Sequence, residues 1–260
     1  MNTSTEQLLV HMFPCLTDNY GYLVHDPKST ETACIDTPEP EKILEQLATK
    51  KWNLTYILNT HHHWDHAGGN LEIKNKTGCK IIGPRAEAGR IPGIDQSVGE
   101  GDKIKIGQHI AKILETPGHT SGHIIYHFIE DGIAFVGDTL FAMGCGRLFE
   151  GTPDQMWHSL QKIMGMPGST KLYCAHEYTL ANARFALTVD PDNTELKERY
   201  DEVKKLRDKN LPTIPATLNS ELMTNPFLRA RDPGIRHTLN MSKESDTAVF
   251  AEIRGRKDNF

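Results

Sequence analysis

The sequence predicts an α/β domain over residues 1–176, followed by a small helical domain over residues 177–260. Three observations predict it. Short apolar runs bounded by turn residues dominate the first two thirds of the chain. Helical segments are interspersed among them, and beyond His176 only helical patterns and Pro-rich connections remain.

In chain order, LLVHMF, YGYLVHD and TACID have strand length and β-forming composition, and PEKILEQLATKK follows as a helix. LTYILNT reads as a buried strand, a helix begins near Asp65, and CKIIG is another strand. KIKIGQHIAKILET alternates well enough for one or two strands. HIIYHFIEDGIAFVGD reads as a hairpin with Asp131-Gly132 in its turn. Thr152-Pro153-Asp154-Gln155 is a helix start: Thr caps, Pro takes the first position, and Gln completes a capping box. KLYCAH is the last strand. ELKERYDEVKKLRDKN is a charged amphipathic helix, LPTIPATLNSELMTNPFLRARDPG reads as loop, and DTAVFAEIRGRKDNF supplies a final helix.

With 38% hydrophobic residues the chain can bury an ordinary core without disulfides or metal. A net charge of −5 argues against a broad nucleic-acid surface. No apolar run approaches the roughly 20 residues of a membrane span, and MNTSTEQLLVHMFPC lacks the pattern of an export signal. Cys15, Cys34, Cys79, Cys145 and Cys174 are scattered and form no CxxC pair. The expectation is a cytoplasmic monomer with reduced thiols and without nucleic-acid or membrane partners.

The stretch THHHWDHAGGN carries the chemistry. If the backbone stays near extended, His61 and His63 point to one side, and His62 and Trp64 to the other. Asp65 and His66 fall where a helix begins and turn toward a neighbouring point. His119 in TPGHTSGH, Asp138 in FVGDTLF and His176 in YCAHEY each follow an apolar strand, which delivers them to one sheet edge. Five histidines and two aspartates exceed what one tetrahedral ion needs, so two metals are expected about 3.5–4 Å apart. His61, His63 and His119 would hold one, and Asp65, His66 and His176 the other. Asp138 would bridge them, because a carboxylate has two oxygens to give. This donor set suits zinc, iron or manganese without selecting sharply among them. His62 is expected to stand outside it. His11, His25, His109, His123, His127, His158 and His237 read as structural.

These motifs resemble the metallo-β-lactamase superfamily. With GCGRLFEGT, HEYT, NPFLR and RGRKDNF added, nearly the whole chain resembles the hydroxyacylglutathione hydrolases, the glyoxalase II family. The resemblance implies an αββα sandwich with its site at the sheet edges and a C-terminal helical domain. It implies hydrolysis of S-lactoylglutathione to lactate and glutathione, with Asp65 and Asp138 as catalytic carboxylates. Glutathione contacts carry over to Arg147, Tyr178, Arg254 and Lys257. Phe149 stands where the family usually has Tyr, so one hydroxyl contact is missing.

The chemistry agrees with the residues. Two metals lower the pKa of a shared water, giving a hydroxide at neutral pH. The thiolate leaves easily, since its conjugate acid has a pKa near 8.5. No Ser-His-Asp set or nucleophilic cysteine is required. Three rivals stand beside this reading. A glutathione persulfide dioxygenase would use one redox metal with open positions, a nucleic-acid hydrolase would want a cationic surface, and a binding protein would use metal for stability alone.

Overall fold

The computed structural model describes residues 7–260, which form two compact units. The first holds residues up to Glu115 together with Gly122–Phe135. The second holds Thr116–Ser121 and Val136–Phe260.

The first unit is built on a mixed sheet of β1 (Leu9–Cys15), β2 (Asn19–His25), β3 (Thr32–Ile35), β4 (Tyr56–Leu58), β5 (Lys80–Pro84) and β6 (Gln96–Val98), in that spatial order. The first three are antiparallel neighbours, and the β3-β4, β4-β5 and β5-β6 pairs are parallel. Parallel neighbours need crossovers. α1 (Pro40–Lys50) joins β3 to β4. The short α2 (Trp64–Ala67) and α3 (Asn70–Thr77) join β4 to β5. Ile43 and Leu47 of α1 and Ile73 of α3 pack on Leu23, Cys34, Ile57 and Ile81 of the sheet.

A second antiparallel ladder follows in the same unit: β7 (Lys103–Ile106), β8 (His109–Glu115), β9 (Ile124–Phe128) and the start of β10 (Ile133–Gly137). Tyr126 of β9 donates its hydroxyl to the Asn59 carbonyl beyond β4, and Tyr22 of β2 meets Phe135 of β10 edge-on. All residues of β2, β9 and β10 are buried, as strands covered on both faces must be. The expected hairpin is present, with Gly132 in the left-handed region.

In the second unit β11 (Leu140–Phe141) and β12 (Gly144–Cys145) form a small hairpin. α4 (Pro153–Met164) starts at the expected capping box. β13 (Lys171–Cys174) receives β14 (Ala216–Thr217). α5 (Thr179–Val189), α6 (Thr194–Arg207), α7 (Leu218–Thr224), α8 (Pro233–Leu239) and α9 (Asp246–Asp258) complete it.

Two expectations need correction, and one helix was not anticipated. β4 is shorter than LTYILNT, because beyond Leu58 the Thr60 amide donates to Asp36 instead of a ladder. TLANARFALTV forms α5, whose apolar residues are spread too widely to leave a helical stripe. The stretch read as loop contains β14 and α7, the latter capped by the Thr217 hydroxyl accepting from the Ser220 amide.

Candidate active site

In the first unit, the donors lie on the segment leaving β4. The Thr60 amide and hydroxyl each donate to the Asp36 carboxylate at 2.8 Å, which fixes the turn that follows. His61 is fully buried, with Nδ1 3.0 Å from the Thr60 hydroxyl and Nε2 3.0 Å from His63 Nδ1. The ring of His123 stacks on His61 at 4.8 Å. His62 turns the other way, and its backbone amide and Nδ1 both meet Glu87 Oε2 at 2.8 Å. α2 then presents Asp65 and His66 together, with Asp65 Oδ2 3.4 Å from His66 Nε2. Asn19 donates to that same Asp65 oxygen, and Asp36 takes His66 Nδ1 at 2.8 Å.

In the second unit, Asp138 directly follows β10 and stands between two imidazoles. Its Oδ2 is 3.4 Å from His119 Nε2, and its Oδ1 is 3.4 Å from His176 Nε2. His119 Nδ1 donates to the Arg147 carbonyl at 2.9 Å, and His176 stacks flat on Tyr178 at 4.8 Å. Gly146 passes so close to Asp138 that a Cβ there would come within 2.0 Å of the Asp138 carbonyl oxygen.

This donor chemistry fits a metal. Ligand atoms on one tetrahedral ion, at bonds of about 2.0–2.2 Å, stand about 3.3–3.6 Å apart, and the pairs above span 3.0–3.4 Å. In each unit the donors are imidazoles and carboxylates, the residue types that hold such ions. The outward nitrogens of His61, His66 and His119 are held by Thr60, Asp36 and Arg147, the kind of outer contact that fixes a ligand's tautomer.

The second unit also contains an open cavity of about 550 Å³ that has His119 and Asp138 in its wall. Arg147, Phe149, Tyr178, Arg254 and Lys257 line it as well. Arg147 is exposed and lies 3.9 Å from Asp258. Phe149 is exposed, with its ring 5.2 Å from His119. Arg254, by contrast, is buried: Nη1 donates to the Cys145 carbonyl, Nη2 to Asp258, and the group lies 5.1 Å over the Phe227 ring. Lys257 sits near the Phe185 and Phe260 rings, and burial with Arg254 and Arg147 nearby lowers its pKa. Burial pushes the Cys145 thiol up to about 11, which suits packing and not nucleophilic attack. All five cysteines are free and buried.

Asp36 and Glu87 escaped the sequence reading. Asp36 had the same signal as Asp138, an aspartate directly after an apolar strand (TACID against FVGD). Glu87 gives no such signal, since it acts from a 3₁₀ turn (Arg85–Arg90) on His62 and on the Gly122 amide.

Among the described residues no helix is long and apolar enough to cross a membrane. Residues 28–176 match the metallo-beta-lactamase superfamily model, and residues 177–260 match the model for the hydroxyacylglutathione hydrolase C-terminus. Among curated relatives, a hydroxyacylglutathione hydrolase of Maricaulis maris (strain MCS10) is 56% identical over 254 residues, 98% of this chain and 99% of its own. One from Brucella canis (strain ATCC 23365 / NCTC 10854 / RM-666) is 52% identical over the full length of both chains. Among solved structures, ETHE1 from Myxococcus xanthus matches with a TM-score of 0.66 at 23% identity, covering 96% of this chain and 98% of that one. A metallo-beta-lactamase from Staphylococcus aureus subsp. aureus COL matches with a TM-score of 0.66 at 20% identity, covering 98% and 72%. These likenesses establish the α/β metallo-β-lactamase fold with a C-terminal helical region. The chain belongs to the hydroxyacylglutathione hydrolase family of the metallo-β-lactamase superfamily.

Proposed function

We propose that this chain hydrolyses S-2-hydroxyacylglutathione thioesters, S-lactoylglutathione among them, to the 2-hydroxy acid and glutathione. One observation carries the reading. A single cavity has His119 and Asp138 in its wall together with Arg147, Arg254 and Lys257. A thioester carbonyl can lie by the metal donors while the glutathione carboxylates meet cations. Identity of 52–56% with relatives of that name over nearly the whole chain supports it.

The cofactor is two divalent cations, zinc in our reading, with iron or manganese also compatible with the donors. His61, His63 and His119 would hold one and Asp65, His66 and His176 the other, with Asp138 serving both. Bound there, the cations supply Lewis-acid chemistry: a water of lowered pKa and uptake of charge from the carbonyl oxygen. Asp36, Thr60 and the Arg147 carbonyl keep the imidazoles aimed at their donor partners. The leaving thiolate needs no general acid, since its conjugate acid has a pKa near 8.5. Arg147 and Lys257 meet the glutathione carboxylates, Tyr178 contacts the glutathione moiety, and Phe149 borders it without the hydroxyl contact. Arg254 contributes its charge from a fixed position. Residues 1–176 act as the catalytic part and 177–260 as the substrate-binding part of a cytoplasmic monomer.

The test is loss of the S-lactoylglutathione thioester absorbance, with elemental analysis and mass determination on the same sample. Protein carrying two metals per chain that leaves the thioester intact rejects the proposal.

A further inference from the structure

The β11–β12 hairpin follows Asp138 and leads into Arg147, so its shape sets one wall of the cavity. Its turn is Ala142-Met143, and Met143 has φ +53°. Tight hairpin turns usually recruit Gly, Asn or Asp for left-handed backbone, and neither residue here favours it. The hairpin is held from outside. Asn225 Nδ2 donates to the Phe141 carbonyl at 3.2 Å and to the Gly144 carbonyl at 3.0 Å. The Met143 amide donates to Glu221 at 2.8 Å, and Asn225 donates to the same Glu221 oxygen at 2.9 Å. Asn182 takes the Ala142 carbonyl, and Arg254 the Cys145 carbonyl. A Cβ on Gly144 would strike the Asn182 amide at 2.3 Å, so the approach is close. Every one of these side chains is buried, Asn225 and Glu221 almost completely.

The held segment touches the site. Phe141 meets the rings of His176 and Tyr178 edge-on at 5.8 and 5.2 Å. The Gly146 amide donates back to the Thr139 carbonyl, next to Asp138. The NPFLR motif explains itself in the same terms: Asn225 grips the hairpin, Phe227 lies under Arg254, and Arg229 ties the segment to Asp190 and Asp232.

We propose that Asn225, with Glu221, is a positioning residue for the substrate cavity: it fixes the Ala142-Met143 turn, and through it the places of Phe141, Arg147 and Arg254. This rests on the thioesterase reading for its kinetic consequence, but not for its structural one. The experiment therefore reads both, on full-length metal-loaded protein. In Asn225→Ala, amide exchange across residues 140–146 should accelerate about tenfold or more, while Ala183 and Ala186 keep their protection. KM for S-lactoylglutathione should rise about tenfold, with kcat changed far less and metal content unchanged. Glu221→Gln keeps an acceptor for Met143 and Asn225, and should show exchange no faster than native and a native KM, whereas Glu221→Ala should resemble Asn225→Ala. If Asn225→Ala fails to fold, Asn225→Ser is read in the same way. Native exchange in the hairpin, or lost protection with an unchanged KM, overturns the proposal. Native protein inert on the thioester would sink the functional reading instead, leaving exchange alone to judge whether Asn225 holds the hairpin.

Discussion

At pH 8 the Glu221→Gln protein should be more stable than the native one by about 3 kcal/mol, and at pH 4 the two should be nearly equal. Glu221 is 1% exposed, and burial raises its carboxyl from 4.5 to about 7, against the pull of the Met143 amide, the Asn225 amide and Arg199. Cys174 also faces it, but burial holds that thiol at about 12, so it stays neutral throughout. A carboxyl whose pKa is raised on folding binds its proton more tightly in the folded state. Its contribution is therefore complete below 4.5 and is lost as pH rises through about 7. The interval from 4.5 to about 7, at about 1.36 kcal/mol for each pH unit, comes to about 3 kcal/mol.

Glutamine is a fair mimic of the protonated acid here. Glu221 Oε2 takes both hydrogen bonds, while Oε1 has no partner among the described residues and borders a small apolar void near Leu140, Leu172 and Ile214. A carboxylic hydroxyl or an amide NH₂ would sit there alike. Urea unfolding of both proteins between pH 4 and 8 measures the effect, and taking their difference at each pH cancels the other titrating groups. Parallel pH curves for the two proteins would refute the reasoning, because the carboxyl would then titrate alike folded and unfolded.

Asp138→Ala should lose both metals by elemental analysis. Since even outer partners of metal ligands cost about 10–100-fold, its thioesterase rate should fall further still; two metals per chain and full activity would remove its bridging role. His62→Ala should retain metal, because its ring nitrogen is engaged with Glu87 instead; loss of one ion per chain would place it among the ligands. Lys257→Ala should raise KM for the glutathione thioester about tenfold and spare a short neutral thioester. In the native protein that KM should climb toward alkaline pH, as the lowered pKa of Lys257 removes its charge; equal losses on both substrates would make the lysine structural.

What could be read in the sequence divides by the range of the interaction. His61, His63, Asp65 and His66 lie within six positions, and His61 stands 3.0 Å from His63 and Asp65 3.4 Å from His66. Asp138 and His176 end apolar strands, a local signal that survives folding. The capping box at Thr152 and the turn at Gly132 are equally local. Arg254 marks where this fails. Three residues before Lys257 in RGRK, it is expected from the resemblance to contact glutathione, and nothing nearby in the sequence signals its burial. Its surroundings come instead from Cys145, Phe227 and Asp258, of which only Asp258 is a sequence neighbour. The hairpin grip has the same character: Asn225 meets Phe141 across 84 positions. Polar side chains that serve a distant backbone carry no periodicity and no preferred spacing, so only the folded chain reveals them. A residue such as Asn225, buried yet polar and outside every catalytic motif, is where the fold and the chemistry are joined. Its substitution should therefore separate substrate affinity from metal binding, as a ligand substitution cannot.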